Sequence, residues 1–206
     1  LTFDFQKAFT RFPTICGIDE AGRGSWAGPV VAAAVSIDQS QLPLLLEIDP
    51  KDSKKLSPKK REALAEKIIA NFSFGIGIVN STIIDQSNIL LATFLAMRQA
   101  ISSLPQKPAL LLIDGNQLIP DVTIRQTAIT HGDDLVCLIS AASILAKVKR
   151  DEILRNMDSD YPEYFFAKHK GYGTKLHEET LNKFGPCSIH RQSFKPIKKM
   201  LGKKTA

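Results

Sequence analysis

No apolar run in this chain is long enough to cross a bilayer: those near 30–35, 44–46 and 109–113 fall far short of the roughly 20 residues a spanning helix needs. Repeats and low-complexity segments are also lacking. A length of 206 residues therefore predicts one compact domain with a small terminal appendage. Cysteine is scarce. Cys16, Cys137 and Cys187 cannot all pair within the chain, and none has a close partner or a companion histidine at zinc spacing. They are expected to be reduced thiols of a cytoplasmic protein, with Cys137 and Cys187 packing as small hydrophobes. The opening LTFDFQKAFTRF has no basic segment followed by a long apolar core, so no secretory signal is expected. No Ser-His-Asp, Cys-His or HExxH arrangement is present, and GRGSWAG is neither a Walker loop nor a dinucleotide fingerprint. His131, His169, His177 and His190 are scattered, and each alone reads as a surface or hydrogen-bonding residue rather than a ligand.

What is present is basic charge. Lysine plus arginine number 27 against 21 acidic residues, a net charge of +6 that suits a polyanionic partner. The excess clusters at Lys51, Lys54, Lys55, Lys59, Lys60 and Arg61, and again at Lys195, Lys198, Lys199, Lys203 and Lys204. Solvated faces would look the same, so charge alone does not decide for nucleic acid.

Hydrophobic patterning gives strands at 15–19 and 29–37, joined through a glycine-rich turn as a hairpin, then at 72–80, 109–114 and 122–130. Ser57-Pro58 starts a helix that runs to about Asn71, and Ser87 or Asp85 caps a largely apolar helix reaching about Ser103. An alanine-rich helix follows at roughly 138–157, and beyond Tyr161 come a GYGTK turn, a short helix at LHEETLNKF and a final basic helix at PIKKMLG. This order predicts a mixed sheet covered by helices.

Three acidic sites fall at strand ends or the turns after them: Asp19-Glu20, Asp114 and Asp133-Asp134. Any one alone reads as a cap or turn residue. If the strands bearing Asp19 and Asp114 are neighbours, their ends lie about 5 Å apart, close enough to share a cation. Mg²⁺ or Mn²⁺ would turn the repulsion of such carboxylates into coordination, and two ions roughly 4 Å apart would suit a phosphodiester displacement. Asp19 and Glu20 face opposite ways in a regular strand, so a bend at the strand end is expected if both serve. The glycines just after them would permit that bend and let backbone N–H groups approach a phosphate or sugar.

DEAGRG, DSKKLS, LLIDGN, HGD followed by ISAASILAKVKRD, and HKGYGT with GPCSIHRQSF stand in order from about residue 15 to 197. In these motifs the chain closely resembles bacterial ribonuclease HII. The resemblance implies a ribonuclease H-like α/β fold, a five-stranded mixed sheet flanked by helices with a small helical C-terminal region. It divides the chain into a catalytic core at 1–160 and a substrate-contacting part of the same compact unit at 161–206. It further implies an endoribonuclease that cleaves the RNA strand of RNA–DNA hybrids and nicks duplex DNA 5′ of an embedded ribonucleotide, leaving 3′-hydroxyl and 5′-phosphate ends. Carried over motif by motif, Asp19, Glu20, Asp114 and Asp133 are the metal-binding catalytic carboxylates. Asp133 is preferred to Asp134 for its place directly after Gly132, and Asp151 is expected to be structural or salt-bridging. Gly22, Arg23 and Gly24 would meet the ribose 2′-hydroxyl and nearby phosphate through their backbone, and Tyr172 would read that hydroxyl while stacking on the next sugar. Ser53, Lys54 and Lys55 would touch backbone phosphates. Ser25 and Trp26 depart from the proline and leucine common in the family, which bears only on local packing. A monomer without membrane attachment is expected. The alternatives are a ribonuclease HIII-like nuclease, which normally carries an added N-terminal domain where only about a dozen residues precede the first strand here, and a non-catalytic basic nucleic-acid-binding module.

Overall fold

The computed structural model describes residues 3–50 and 57–203; Ser53, Lys54 and Lys55 lie outside the described residues. Five strands, β1 (Thr14–Ala21), β2 (Val30–Asp38), β3 (Ser73–Val79), β4 (Leu110–Asp114) and β5 (Arg125–Ile129), form one sheet in the order β3-β2-β1-β4-β5. The first three pair antiparallel, as the expected hairpin requires, whereas β4 and β5 run parallel to β1. The helices are α1 (Phe5–Phe9), α2 (Leu42–Ile48), α3 (Pro58–Asn71), α4 (Ser81–Gln86), α5 (Ile89–Ser102), α6 (Gly132–Leu135), α7 (Cys137–Asp160), α8 (Phe166–His169), α9 (Lys175–Phe184) and α10 (Lys195–Lys203).

Alternation along the strands sorts the core into two layers. Ile15, Ala33, Val35, Leu110 and Leu112 pack beneath α7, while Cys16, Ile18, Ala32, Ala34, Leu111 and Ile113 pack beneath α5. Both helices press close because the residues under them are small. A Cβ on Gly17 would stand 2.4 Å from the Leu138 backbone, and one on Gly77 would stand 1.9 Å from the carbonyl of Ala96. Ser57 caps α3 as expected, accepting from the Lys60 N–H. The expected cap of α5 is wrong by one to three residues. Asn88 takes that place, its side chain accepting from the N–H groups of Leu90 and Leu91 at 3.0 Å. Asp85 is engaged elsewhere, holding the main-chain N–H groups of Gln192 and Ser193 at 2.8 and 2.9 Å.

A third apolar cluster joins Leu154, Tyr164, Phe166, Leu181 and Ile197 to Ala27 in the loop between β1 and β2, with Trp26 packed against it. The same loop is tied to the distant chain by an isolated bridge from Ala27 to His190. Thus the elements after Tyr161 fold back onto the glycine-rich segment.

Candidate active site

The carboxylates meet where the central strands end. β1 and β4 are in register at Ile18 and Ile113, so the next step sets Asp19 beside Asp114 on the α7 side. β5 then returns toward α6, whose main chain places the Asp133 N–H 3.3 Å from Asp114 Oδ1. Asp19, Glu20, Asp114 and Asp133 line one cavity of about 370 Å³, together with Ala21, Gly22, Arg61, Ser143, Lys147 and Tyr172.

The expected bend between Asp19 and Glu20 is absent. β1 keeps its pairing with β2 through both residues to Ala21, so the two side chains leave on opposite faces. Both reach the cavity because β4 stops at Asp114, level with Asp19, and leaves the edge of β1 open beyond it. Glu20 also borders the α5 side, lined there by Leu90, Thr93, Phe94 and Met97.

Electrostatics mark this end of the sheet as a place where buried carboxylates are held close together. Asp19 is only 5% exposed. Burial, then the nearby charges of Glu20 and Asp114, push its pKa well above the ordinary carboxylate range, against hydrogen bonds from Ser143 and the Glu20 N–H, the latter 2.7 Å away. Burial also raises Glu20, opposed by Arg23, whose guanidinium lies 3.2 Å from Glu20 Oε1. Lys147 is already engaged by Asp151 at 2.8 Å, so Asp151 takes the salt-bridging role expected of it. Among the described residues no three acidic, histidine or cysteine side chains are drawn close enough to make a ready cage for a metal. The donor chemistry nevertheless fits a hard divalent cation: all the candidate ligands are oxygen, and two are desolvated carboxylates that repel one another.

Beside the acids stands the loop after β1. Gly22 adopts a positive φ of 100°, and a Cβ there would lie 2.1 Å from Arg150 Nε. The N–H groups of Arg23 and Gly24 make no hydrogen bond among the described residues. Two arginines absent from the expected set hold this loop from below, and both are completely buried. Arg150 donates to Ser25 Oγ at 2.7 Å, to the Lys170 carbonyl at 2.9 Å and to those of Pro29 and Ala27 at 3.3 and 3.4 Å. Arg191 donates to the carbonyls of Arg23 and Gly28, both at 3.0 Å. Burial lowers both guanidinium pKa values, that of Arg191 to about 9. Tyr172 lies over this base, with Arg150 5.0 Å and Lys147 5.1 Å from its ring centre. Arg191, outside any helix, left no periodic trace in the sequence. The signal available for Arg150 was the apolar spacing of α7, which places it four residues before buried Leu154.

The histidines are not scattered in space. His169, His177 and His190 converge behind the Tyr172 turn, all buried, while His131 is exposed. Burial lowers His169 and pushes His177 and His190 down to about 4. The folded state thus keeps His177 and His190 neutral where the unfolded chain, with histidine pKa near 6.5, takes up protons. Their contribution to stability is full above about pH 6.5 and is lost as pH falls toward 4. Facing them are His169, Cys187, the Tyr172 carbonyl and, farther out, Glu163, Asp158 and Lys170. The acidic cavity titrates in the opposite sense, so the measurement belongs in an Asp19→Asn, Glu20→Gln chain. There the urea midpoint is expected to fall between pH 6.5 and 4.5, and an unchanged midpoint would contradict the assignment. Cys187 packs against the third apolar cluster as expected; it is half-buried, its sulfur 3.1 Å from His190 Nδ1, and burial raises the thiol to about 11. Cys137 sits in the apolar core.

Comparison with known proteins identifies the family. A family model described as ribonuclease HII matches residues 16–197. The chain is 52% identical over 181 residues to ribonuclease HII of Caldicellulosiruptor bescii, covering 87% of this chain and 85% of that protein. It is 50% identical over 201 residues to ribonuclease HII of Burkholderia lata, covering 97% and 90% respectively. The crystal structure of ribonuclease H2 from Pyrococcus horikoshii superposes with a TM-score of 0.78 at 27% identity, covering 92% of this chain and 98% of that one. With a five-stranded mixed sheet that gathers acidic residues at the ends of its central strands, and a family match spanning nearly the whole chain, this protein belongs to the ribonuclease HII family and is a ribonuclease H enzyme.

Proposed function

We propose that the chain hydrolyses the phosphodiester on the 5′ side of a ribonucleotide, in RNA–DNA hybrids and in duplex DNA that contains a single ribonucleotide. The observation that carries this reading is the shared cavity, where four carboxylates from three parts of the chain stand beside Gly22 and Tyr172. Enzymes of this family use divalent metal ions. In this reading Asp19, Glu20, Asp114 and Asp133 would hold Mg²⁺ or Mn²⁺, two ions during catalysis, which supply Lewis acidity to the scissile phosphate and lower the pKa of the attacking water.

The chain's own residues account for the rest. Arg150 and Arg191 fix the carbonyls of the loop from Arg23 to Pro29, leaving the N–H groups of Arg23 and Gly24 for the ribose and its phosphate. Tyr172 stands across the cavity as a flat surface for the neighbouring sugar. Arg61 and Lys147 supply positive charge to the duplex backbone on the same rim. Ser53, Lys54 and Lys55, which lie outside the described residues, are read from the motif alone as further phosphate contacts. The C-terminal elements are thereby part of substrate binding within the same compact unit. Water adds to phosphorus, the bond to the upstream 3′-oxygen breaks, and that oxygen leaves as a hydroxyl; the ribonucleotide keeps the 5′-phosphate. Among the described residues no helix is long and apolar enough to cross a membrane. We further read the protein as a cytoplasmic monomer.

Incubation with Mg²⁺ and a DNA duplex holding one ribonucleotide tests the reading directly. A single nick 5′ to the ribonucleotide with 3′-hydroxyl and 5′-phosphate ends is expected. Cutting only of longer RNA tracts would move the reading toward ribonuclease HIII, and binding without cutting would move it toward a passive module.

A further inference from the structure

The histidine cluster has a hydrogen-bond order that can be solved atom by atom. The Gly171 N–H donates to His169 Nδ1 at 3.1 Å, which puts the proton of His169 on Nε2, 2.7 Å from the Tyr164 carbonyl. A carbonyl can only accept, so His177 Nδ1, 2.9 Å from the Tyr172 oxygen, carries its proton there. His177 Nε2 is then an acceptor, and its neighbour at 3.0 Å is His190 Nε2, which must be the protonated one. That leaves His190 Nδ1 to accept from the Cys187 N–H at 2.9 Å. One line of donors therefore runs from the Cys187 main chain through His190 and His177 to the carbonyl of Tyr172.

The turn at the end of this line combines main-chain bonds with strained backbone. Lys170 and Gly171 have φ values of 51° and 74°, both in the left-handed region. The Tyr172 N–H bonds to the His169 main-chain carbonyl at 3.0 Å, and the Tyr172 carbonyl accepts from the Thr174 N–H at 2.8 Å as well as from His177 Nδ1, so the one side chain among the described residues that holds this peptide is the His177 ring. The His177 ring is wedged between His169, stacked at 4.2 Å between centroids, and Trp26 at 5.5 Å. A small rotation of the Tyr172 peptide would swing the phenol across the cavity that holds Asp19 and Gly22.

We propose that His177, held in one tautomer by His190, is a positioning residue for Tyr172 that sets where its ring stands over the carboxylates and how tightly a ribonucleotide is read. The proposal rests on Tyr172 being the ribose-side contact. It gives the histidines of HEETLNKF and SIHRQSF a shared purpose that neither segment reveals alone.

The test is a double-mutant cycle on the full chain, reading kcat and KM on a duplex with one ribonucleotide, with urea midpoints taken alongside. His177→Phe keeps a ring between His169 and Trp26 but cannot donate, and it is expected to lower kcat/KM about tenfold to a hundredfold. His177→Asn, whose amide nitrogen sits near the place of Nδ1, should recover much of that loss. In a Tyr172→Ala background, His177→Phe should cost less than about a further twofold. A strong Tyr172→Ala defect multiplied in full by His177→Phe would overturn the role of His177 alone. Wild-type kinetics in Tyr172→Ala would instead overturn the reading of Tyr172. Long-range proton–nitrogen NMR of the unmodified protein checks the arrangement independently of activity: protons on His177 Nδ1 and His190 Nε2 are expected, and the opposite tautomer on either ring would refute it.

Discussion

Asp114→Asn is expected to reduce cleavage by about a thousandfold or more and, in the presence of chelator, to raise the melting temperature. The two effects have one cause. Asp19 is buried beside Glu20 and Asp114, and desolvation first, then the charges of these two neighbours, hold its carboxyl well above the ordinary range. Neutralising Asp114 removes one of the opposing charges, a relief of about 1 kcal/mol and thus about 2–4 °C for a chain of this size. An asparagine oxygen can still accept from the Asp133 N–H, 3.3 Å away in the native chain, so the connection to α6 survives. Divalent cation should then stabilise the native protein more than the variant. Retained activity would remove Asp114 from the catalytic set, and a lower melting temperature in chelator would show that its role is architectural.

The second large effect separates two glycines that look equivalent in DEAGRG. Gly22→Ala adds a methyl at a φ of 100°, 2.1 Å from Arg150 Nε, 2.5 Å from its Cδ and 2.9 Å from the Pro29 carbonyl. Arg150 cannot easily step aside, because its Nε and Nη2 already donate to four acceptors and the side chain is fully buried. A loss of about 3 kcal/mol in stability is expected, and activity should fall with it. Gly24→Ala is the opposite case: an added Cβ meets no heavy atom within 4 Å, and its φ is ordinary. Stability should stay within about 0.5 kcal/mol. If the ribose approaches this backbone, KM should nevertheless rise, by about tenfold. Denaturation midpoints and KM for both variants settle the matter; an unstable Gly24→Ala, or one with native KM, would mean that the second glycine does not serve the substrate.

What could be read from the sequence follows from what leaves a periodic or positional trace. The strands alternate or run apolar, and Asp19 and Asp114 sit at the ends of such runs, so adjacency of β1 and β4 was enough to bring them together. The bend expected at Glu20 was wrong because strand order, not local geometry, opens the edge there. β4 ends at Asp114 while β1 continues to Ala21, and no local signal in either segment encodes that difference in length. Arg150, Arg191 and the three buried histidines were illegible for a related reason. Their partners lie up to 168 positions away, as in the bond from Arg191 to the Arg23 carbonyl, and many of those partners are backbone groups that carry no residue identity. The α5 cap was missed because Ser87, Asn88 and Asp85 are all competent caps, and only the docking of residues 192–193 shows that Asp85 is taken.

The tie between the β1–β2 loop and the chain near residue 190 also orders events during synthesis. Strands β1, β4 and β5 are complete, and α7 can dock, long before Cys187 to Arg191 leave the ribosome. Until they do, Ala27 lacks its bridge to His190, and the carbonyls of Arg23 and Gly28 lack the guanidinium that fixes them. A nascent or C-terminally shortened chain that lacks Cys187 to Arg191 therefore carries all four carboxylates but neither the bridge nor the guanidinium that hold the sugar-facing loop.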